Sequence, residues 1–186
     1  PEVFDLLAGL ILPDLIAQRR RPLAVWSVGC SNGAELYTLA CLLGEAGVLE
    51  GAQLIGTDVR ASALSQAAAG MMTPACADAV PEAWRQRYFG RYHGVLTAGV
   101  QLRGPTRWLQ HDALRELAPA PGRFDIIMCR NVAIYLEPAA AGGLWQALAA
   151  ALAPGGCLVV GRAEKPAAPG LIHRAVSLYL QPESPV

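Results

Sequence analysis

Arg123-Phe124-Asp125-Ile126-Ile127-Met128-Cys129-Arg130-Asn131-Val132-Ala133-Ile134-Tyr135-Leu136 is the stretch that decides the fold. Its apolar run stops abruptly at Cys129-Arg130-Asn131 and resumes as Val132 to Tyr135. A buried strand of this kind delivers three polar groups and a phenol to its carboxyl end, and in open α/β sheets that edge is where ligands sit.

Working outward, residues 23–28 read as a short apolar strand, Gly29-Cys30-Ser31-Asn32-Gly33 as a turn, and residues 34–46 as a helix with Leu36, Leu39, Ala40 and Leu43 on one face. Residues 53–57 form a second strand ending at Asp58, and residues 62–72 an Ala-rich helix. Strand, helix, strand, helix is the rhythm of a parallel sheet with right-handed crossovers. It breaks between Pro74 and Gly104, where residues 81–89 suit a short helix and residues 90–102 alternate weakly, as a small inserted hairpin would. Residues 106–110 resume the strands and end at His111-Asp112. Residues 124–130 are the fourth strand, 144–152 a helix, Pro154-Gly155-Gly156 a turn, 157–161 the fifth strand, and 171–180 a closing strand or strand pair. At the front, apolar residues from Phe4 to Ile16 recur at near-helical spacing, so residues 2–18 form a helix with Pro13 as the place for a kink. Arg19-Arg20-Arg21 then reads as a solvated helix end.

Composition sets the class. The 186 residues suit one α/β domain spanning residues 1–186, and 53% of them are apolar, enough for a full core. Lys plus Arg equals Asp plus Glu at 15 each, so no global field favours nucleic acid or an anionic membrane. Five cysteines without a Cys-x-x-Cys pair suit free thiols in a reducing compartment. His93, His111 and His173 lack zinc-ligand spacing, so no metal is expected. There is no signal peptide at the start and no apolar run of membrane-spanning length, which leaves a cytoplasmic enzyme or binding domain as the expectation.

The residues that carry chemistry cluster at strand ends. Gly29 and Gly33 bracket a strand-to-helix turn where free N–H groups favour an anion and backbone can approach a ligand. Ser31 occupies the place of the middle glycine of Gly-x-Gly-x-x-Gly, which argues against NAD and FAD. Asp58, at the tip of the adjacent strand, can accept both hydroxyls of a ribose; its alternative is to cap the helix at Ser62 or Ala63. Turn and acid together favour the ribose role and a transferase with a nucleoside cofactor. Asp112 could accept from an adenine amine or equally cap a short helix over residues 113–117. Glu35 suits the helix dipole and could meet a ligand ammonium. Arg130 and Asn131 could face a ligand or satisfy loop backbone, and Tyr135 could face a substrate or pack as an aromatic with its hydroxyl in solvent.

Together, Cys30-Ser31-x-Gly33-x-Glu35-x-Tyr37, Gly56-Thr57-Asp58, Arg87-Tyr88-Phe89, Cys129-Arg130-Asn131-Val132-x-Ile134-Tyr135 and Leu152-x-Pro154-Gly155-Gly156 resemble the chemotaxis receptor methyltransferase (CheR) family over nearly the whole chain. The resemblance implies a doubly wound, mostly parallel, seven-stranded Rossmann-like class I methyltransferase sheet with a small inserted β-subdomain at about residues 86–106. It implies S-adenosylmethionine as cofactor, S-adenosylhomocysteine as product, and methyl transfer to glutamate side chains on the cytoplasmic part of a chemoreceptor. By motif position Gly29, Gly33, Glu35, Asp58, Asp112, Ala113, Arg130 and Asn131 would contact the cofactor, and Tyr135 would sit beside the methyl group. The inserted subdomain would be where some members dock a receptor-tail peptide. Family members usually carry a helical domain and a Phe-Phe-Arg segment that would lie ahead of Pro1. Ala34 and Leu36 replace Glu and Pro of Gly-Glu-Glu-Pro-Tyr, Met71-Met72 falls where Ile-Tyr is frequent, Asp112-Ala113 stands where Asn-Leu is common, and Gly161-Arg162-Ala163-Glu164 replaces Gly-His-Ser-Glu. These departures keep two other readings open: a non-catalytic module that binds cofactor or a receptor tail, and a small-molecule methyltransferase.

Overall fold

The computed structural model describes residues 2–18, 21–116, 118–120 and 122–183. The strands are β1 (Ala24–Val28), β2 (Gln53–Asp58), β3 (Phe89–Tyr92), β4 (Val95–Ala98), β5 (Thr106–Gln110), β6 (Phe124–Cys129), β7 (Leu152–Val160), β8 (Ile172–Ala175) and β9 (Leu178–Leu180). The α-helices are α1 (Glu2–Leu6), α2 (Leu12–Gln18), α3 (Ala34–Glu45), α4 (Ala61–Ala69), α5 (Pro74–Ala79), α6 (Glu82–Tyr88), α7 (Val100–Arg103) and α8 (Pro138–Ala151).

Seven strands form one sheet in the order β5-β2-β1-β6-β7-β9-β8, with β3 and β4 paired separately. The first five run parallel, and β9 and β8 close the edge antiparallel. The chain leaves β1 toward β2 and β5, then returns to β1's other side with β6, so the reversal of strand order falls between the ends of β1 and β6. Both strands are buried at every residue, as a doubly covered sheet requires. Alternation splits them between two cores: Val25, Ile126 and Met128 pack with α1 to α3, while Trp26, Val28, Ile127 and Cys129 pack with Leu144, Trp145 and Leu148 of α8. Trp26 Nε1 donates to Thr57 Oγ1 at 3.0 Å, tying β1 to β2 inside the second core.

Several expectations need correction. The N-terminal helix is interrupted by a π-helical turn, Leu7–Ile11, rather than kinked at Pro13 itself. The Leu12 N–H reaches back to the Leu7 carbonyl, and the wider turn accommodates a proline that has no N–H to donate and crowds the carbonyl four residues back. The helix expected over 62–72 ends at Ala69, because Gly70 takes φ +68 and caps it; Met71 then bridges Thr97 of the hairpin. Helix α8 starts at Pro138, not 144: proline at the first turn is preorganised for a helix, but the Ala139-to-Gly143 run offers no apolar period to show it. Pro154-Gly155-Gly156 is a bulge inside β7, where Gly155 at φ +73 shifts the register against β6. Short α5 begins at a Thr73 cap with Pro74 behind it, and α7 follows the hairpin; neither was expected. Residues 112–116 form a turn rather than a helix, and Leu117 lies outside the described residues.

Of the arginine trio, Arg19 and Arg20 lie outside the described residues, and Arg21 is no solvated helix end. Its guanidinium donates to both oxygens of Asp125 at 3.0 Å, and Asp125 also accepts the Ala24 N–H at 2.9 Å. No helix among the described residues is long and apolar enough to cross a membrane.

Candidate functional site

The turn after β1 and the turn after β6 meet at the carboxyl edge. Gly29 sits at φ +63, and a Cβ there would come within 2.7 Å of Val132 Cγ2, so only glycine lets the two turns touch. Gly33, at φ +78, precedes α3; a Cβ on it would lie 2.6 Å from the Trp108 indole. Gly33 therefore makes room for Trp108 of β5 and lines neither cavity described below.

Gly29, Asp58, Asp112, Ala113, Asn131 and Tyr135 line one cavity of about 330 Å³ at the crossover. Asp58 and Asn131, from opposite sides of the reversal, thus face a shared space. The Asp58 carboxylate is 6% exposed. Its Oδ1 accepts from the Arg60 backbone N–H at 2.9 Å and Nε at 3.2 Å, and its Oδ2 accepts from the Ser31 N–H at 2.9 Å. It caps neither Ser62 nor Ala63. Burial alone would push the Asp58 carboxyl up, but the Arg60 contacts and the Ser31 amide outweigh it and hold the group below the usual carboxylate range. The Arg60 side chain is 61% exposed, so solvent screens its side of the pair although Asp58 itself is buried. Asp112 Oδ1 accepts from the Leu114 N–H at 3.0 Å and leaves its side chain one-third open to solvent. Tyr135 sits on a 3₁₀ turn, Ala133–Tyr135, and is 81% exposed, which removes the packing role considered for it.

Arg130 faces the other way. With Glu35, Phe4, Trp84 and Met72 it lines a second cavity of about 280 Å³ between α3 and α6. Arg130 Nη1 donates to Glu35 Oε1 at 3.1 Å, its guanidinium lies 5.8 Å from the Phe4 ring centroid, and its buried Nε has no hydrogen-bond partner among the described residues. Burial pushes the Glu35 carboxyl up, and the Arg130 charge offsets only part of that. A group raised in the folded state contributes stability that is fully present below its unfolded pKa and is lost as pH rises through the folded one. The raised carboxyl is therefore worth more to the fold at low pH than at high pH, and Glu35→Gln, which leaves the largely buried Arg130 without its partner charge, should lower the melting temperature and weaken any cationic ligand. Thermal melts at pH 7 and 5 check this: the variant's deficit against the unaltered chain should be larger at pH 5, because only the unaltered chain gains from protonating Glu35.

Cys30, Cys41 and Cys157 are pushed up to about 12 by burial, so none of them supplies a thiolate nucleophile. A further, roomier cavity of about 780 Å³ lies at the amino ends of β2 and β5, away from every site residue singled out above.

One residue was passed over. Glu164 follows β7, is 6% exposed, and accepts four backbone N–H groups, from Asn131, Val132, Ala133 and Gly161, at 2.7 to 2.9 Å. A lone acid beyond a strand carries no periodic signal; only its place in Gly161-Arg162-Ala163-Glu164 could have drawn notice.

Comparison with known proteins matches residues 1–170 to the family described as CheR methyltransferase, SAM binding domain. The chain is 31% identical to chemotaxis protein methyltransferase 1 of Vibrio cholerae, over 87% of this chain and 60% of that protein. It is 30% identical to chemotaxis protein methyltransferase 1 of Pseudomonas aeruginosa, over 92% of this chain and 70% of that protein. An uncharacterized 104.1 kDa protein of Rhodobacter capsulatus is 29% identical over the whole chain, which spans 22% of its length. Among solved structures, the DszA carbon methyltransferase shares the fold at TM-score 0.56 and 14% identity, over 86% of this chain and 34% of that one. With a seven-stranded sheet, a cavity at its crossover and a match over residues 1–170, the chain belongs to the CheR methyltransferase family, as its S-adenosylmethionine-binding domain.

Proposed function

We propose that this chain transfers the methyl group of S-adenosylmethionine to glutamate side-chain carboxylates on the cytoplasmic part of a chemoreceptor, and so acts in the cytoplasm in chemosensory adaptation. The carrying observation is the crossover cavity with Asp58 on one side and Asn131 on the other.

The residues present fit the cofactor. From the crossover cavity Asp58 would accept the ribose hydroxyls once Arg60 swings into solvent, Asp112 and Ala113 would meet the adenine, and Gly29 and Asn131 would contact the nucleoside, while Glu35 beside Arg130, in the second cavity, would take the ammonium and carboxylate of the amino-acid end where it reaches past the turn after β6. Gly33 would act through the shape of its turn. When bound, the cofactor supplies a methyl group on a positively charged sulfur. A glutamate acceptor with an ordinary pKa of about 4.3 is already ionised at neutral pH, so the protein need not supply a strong base. Its work is to hold the acceptor oxygen in line and exclude water. Tyr135, at the cavity mouth, would donate its hydroxyl to one acceptor oxygen. The hairpin β3–β4 would form the inserted subdomain that meets the receptor, using the outer edge of β3, since Gly70 to Met72 already lie along β4.

Transfer of labelled methyl to receptor-containing membranes tests the proposal. Incorporation into base-labile glutamyl esters is the expected result, whereas labelling of metabolites alone, or cofactor binding without transfer, would overturn it. Tyr135→Phe should lower kcat about 10-fold, the worth of one hydrogen bond to a charged group, with S-adenosylhomocysteine affinity unchanged. Steady-state kinetics beside calorimetry separates the two.

A further inference from the structure

We infer that Glu164 is a positioning residue of the cofactor site: its carboxylate holds the turn after β6 in the one shape that turns Arg130 into one cavity and Asn131 into the other. The inference rests on the methyltransferase reading above. Oε1 accepts from the N–H groups of Val132 at 2.9 Å and Ala133 at 2.8 Å, and Oε2 from those of Asn131 at 2.9 Å and Gly161 at 2.7 Å. A carboxylate offers about four acceptor sites, so this one is fully used, by donors that would otherwise be stranded at a buried strand end.

Asn131 needs such support. It lies at φ +57, in the left-handed region that Asn tolerates better than other residues with a Cβ but adopts stably where the surroundings hold it there. Its N–H and the next two all point at the same carboxylate, which ties β6's exit to β7's exit. Gly161 completes the fit: a Cβ there would come within 2.8 Å of Glu164 Oε2 and 2.7 Å of Asn131 Oδ1. Glu164 lines neither cavity, so any effect on the ligand passes through the turn. Glutamine cannot replace it, because one of its two ends is an NH₂ that would face two N–H donors.

The test compares Glu164→Gln with Leu15→Ala, a core truncation in α2 outside both cavities that supplies an independent loss of stability. In Glu164→Gln the dissociation constant for S-adenosylhomocysteine should rise about 10-fold, with the acceptor KM within twofold of the unaltered chain, well below the melting temperature. In Leu15→Ala the affinity should not change. The amide protons of residues 131, 132, 133 and 161, followed by NMR without ligand, should move upfield together in Glu164→Gln and stay in place in Leu15→Ala. Unmoved amides, an unchanged dissociation constant, or an equal loss in Leu15→Ala would overturn the positioning role. If the unaltered chain bound no S-adenosylhomocysteine, the cofactor reading would fall with the cofactor half of this inference, and the amide shifts alone would decide whether Glu164 holds the turn.

Discussion

Asp58→Ala is expected to weaken S-adenosylhomocysteine binding about 100-fold by calorimetry, because two hydrogen bonds from ribose hydroxyls to an ionised acceptor disappear together. The change also strands the Ser31 N–H, which donates to Oδ2 at 2.9 Å, so the turn that borders the ligand loses its anchor as well. Arg60→Ala serves as the companion. It removes the cation that occupies Asp58, so affinity should hold or rise, and a loss comparable to that of Asp58→Ala would show that Arg60 itself meets the ligand. Acid should act in the same direction as the substitution. Asp58 is held below its ordinary pKa, so its contribution to stability is fully present above the unfolded value and fades as pH falls through the folded one.

Asp125→Ala should lower stability by about 2 kcal/mol, because the buried Ala24 N–H is left without its acceptor and the half-exposed Arg21 without its partner, and bring the melting temperature down by roughly 4–8 °C for a chain of this size. Asp125 is fully buried within β6 and accepts both the Arg21 guanidinium and the Ala24 N–H. The loss would reach β1 as well as β6 and so loosen both strands whose ends shape the cavity. Differential scanning calorimetry measures it; a shift under about 2 °C, less than one kcal/mol for a domain of this size, would mean that water replaces the carboxylate without penalty.

The parts of this architecture that could be read from sequence are those with a period or an abrupt chemical boundary. The apolar run of β1 ends at the Gly29 turn and those of β2 and β6 end in polar groups, and the strands stop within a residue or so of those boundaries. Helix α3 follows its turn because Leu36, Leu39, Ala40 and Leu43 share a face. What stayed hidden depends on partners far away in sequence. Arg21 and Asp125 are 104 positions apart, and nothing in either neighbourhood announces the pair. Arg60 sits only two positions from Asp58, yet whether its side chain folds back or extends is a tertiary outcome. Within the site, the acids at strand tips could be read as candidates, but not that Arg130 and Asn131, adjacent in the chain, would open into different cavities. Side-chain alternation predicts opposite faces only while a strand lasts, and Asn131 has already left it in a left-handed turn.

The β3–β4 hairpin bears on how such proteins diversify. It is fastened to the rest of the molecule along Gly70 to Met72, by the Ala98 N–H to the Gly70 carbonyl, the Met72 N–H to the Leu96 carbonyl and the Met71–Thr97 bridge; Leu96 and Ala98 are buried in the core and Phe89 lines the second cavity, while residues 90–98 line neither. The exposed tip of the hairpin, residues 90–94, is thus the part that can be lengthened or altered by mutation without disturbing the core or the candidate site, whereas the remainder of its strands is fixed by both.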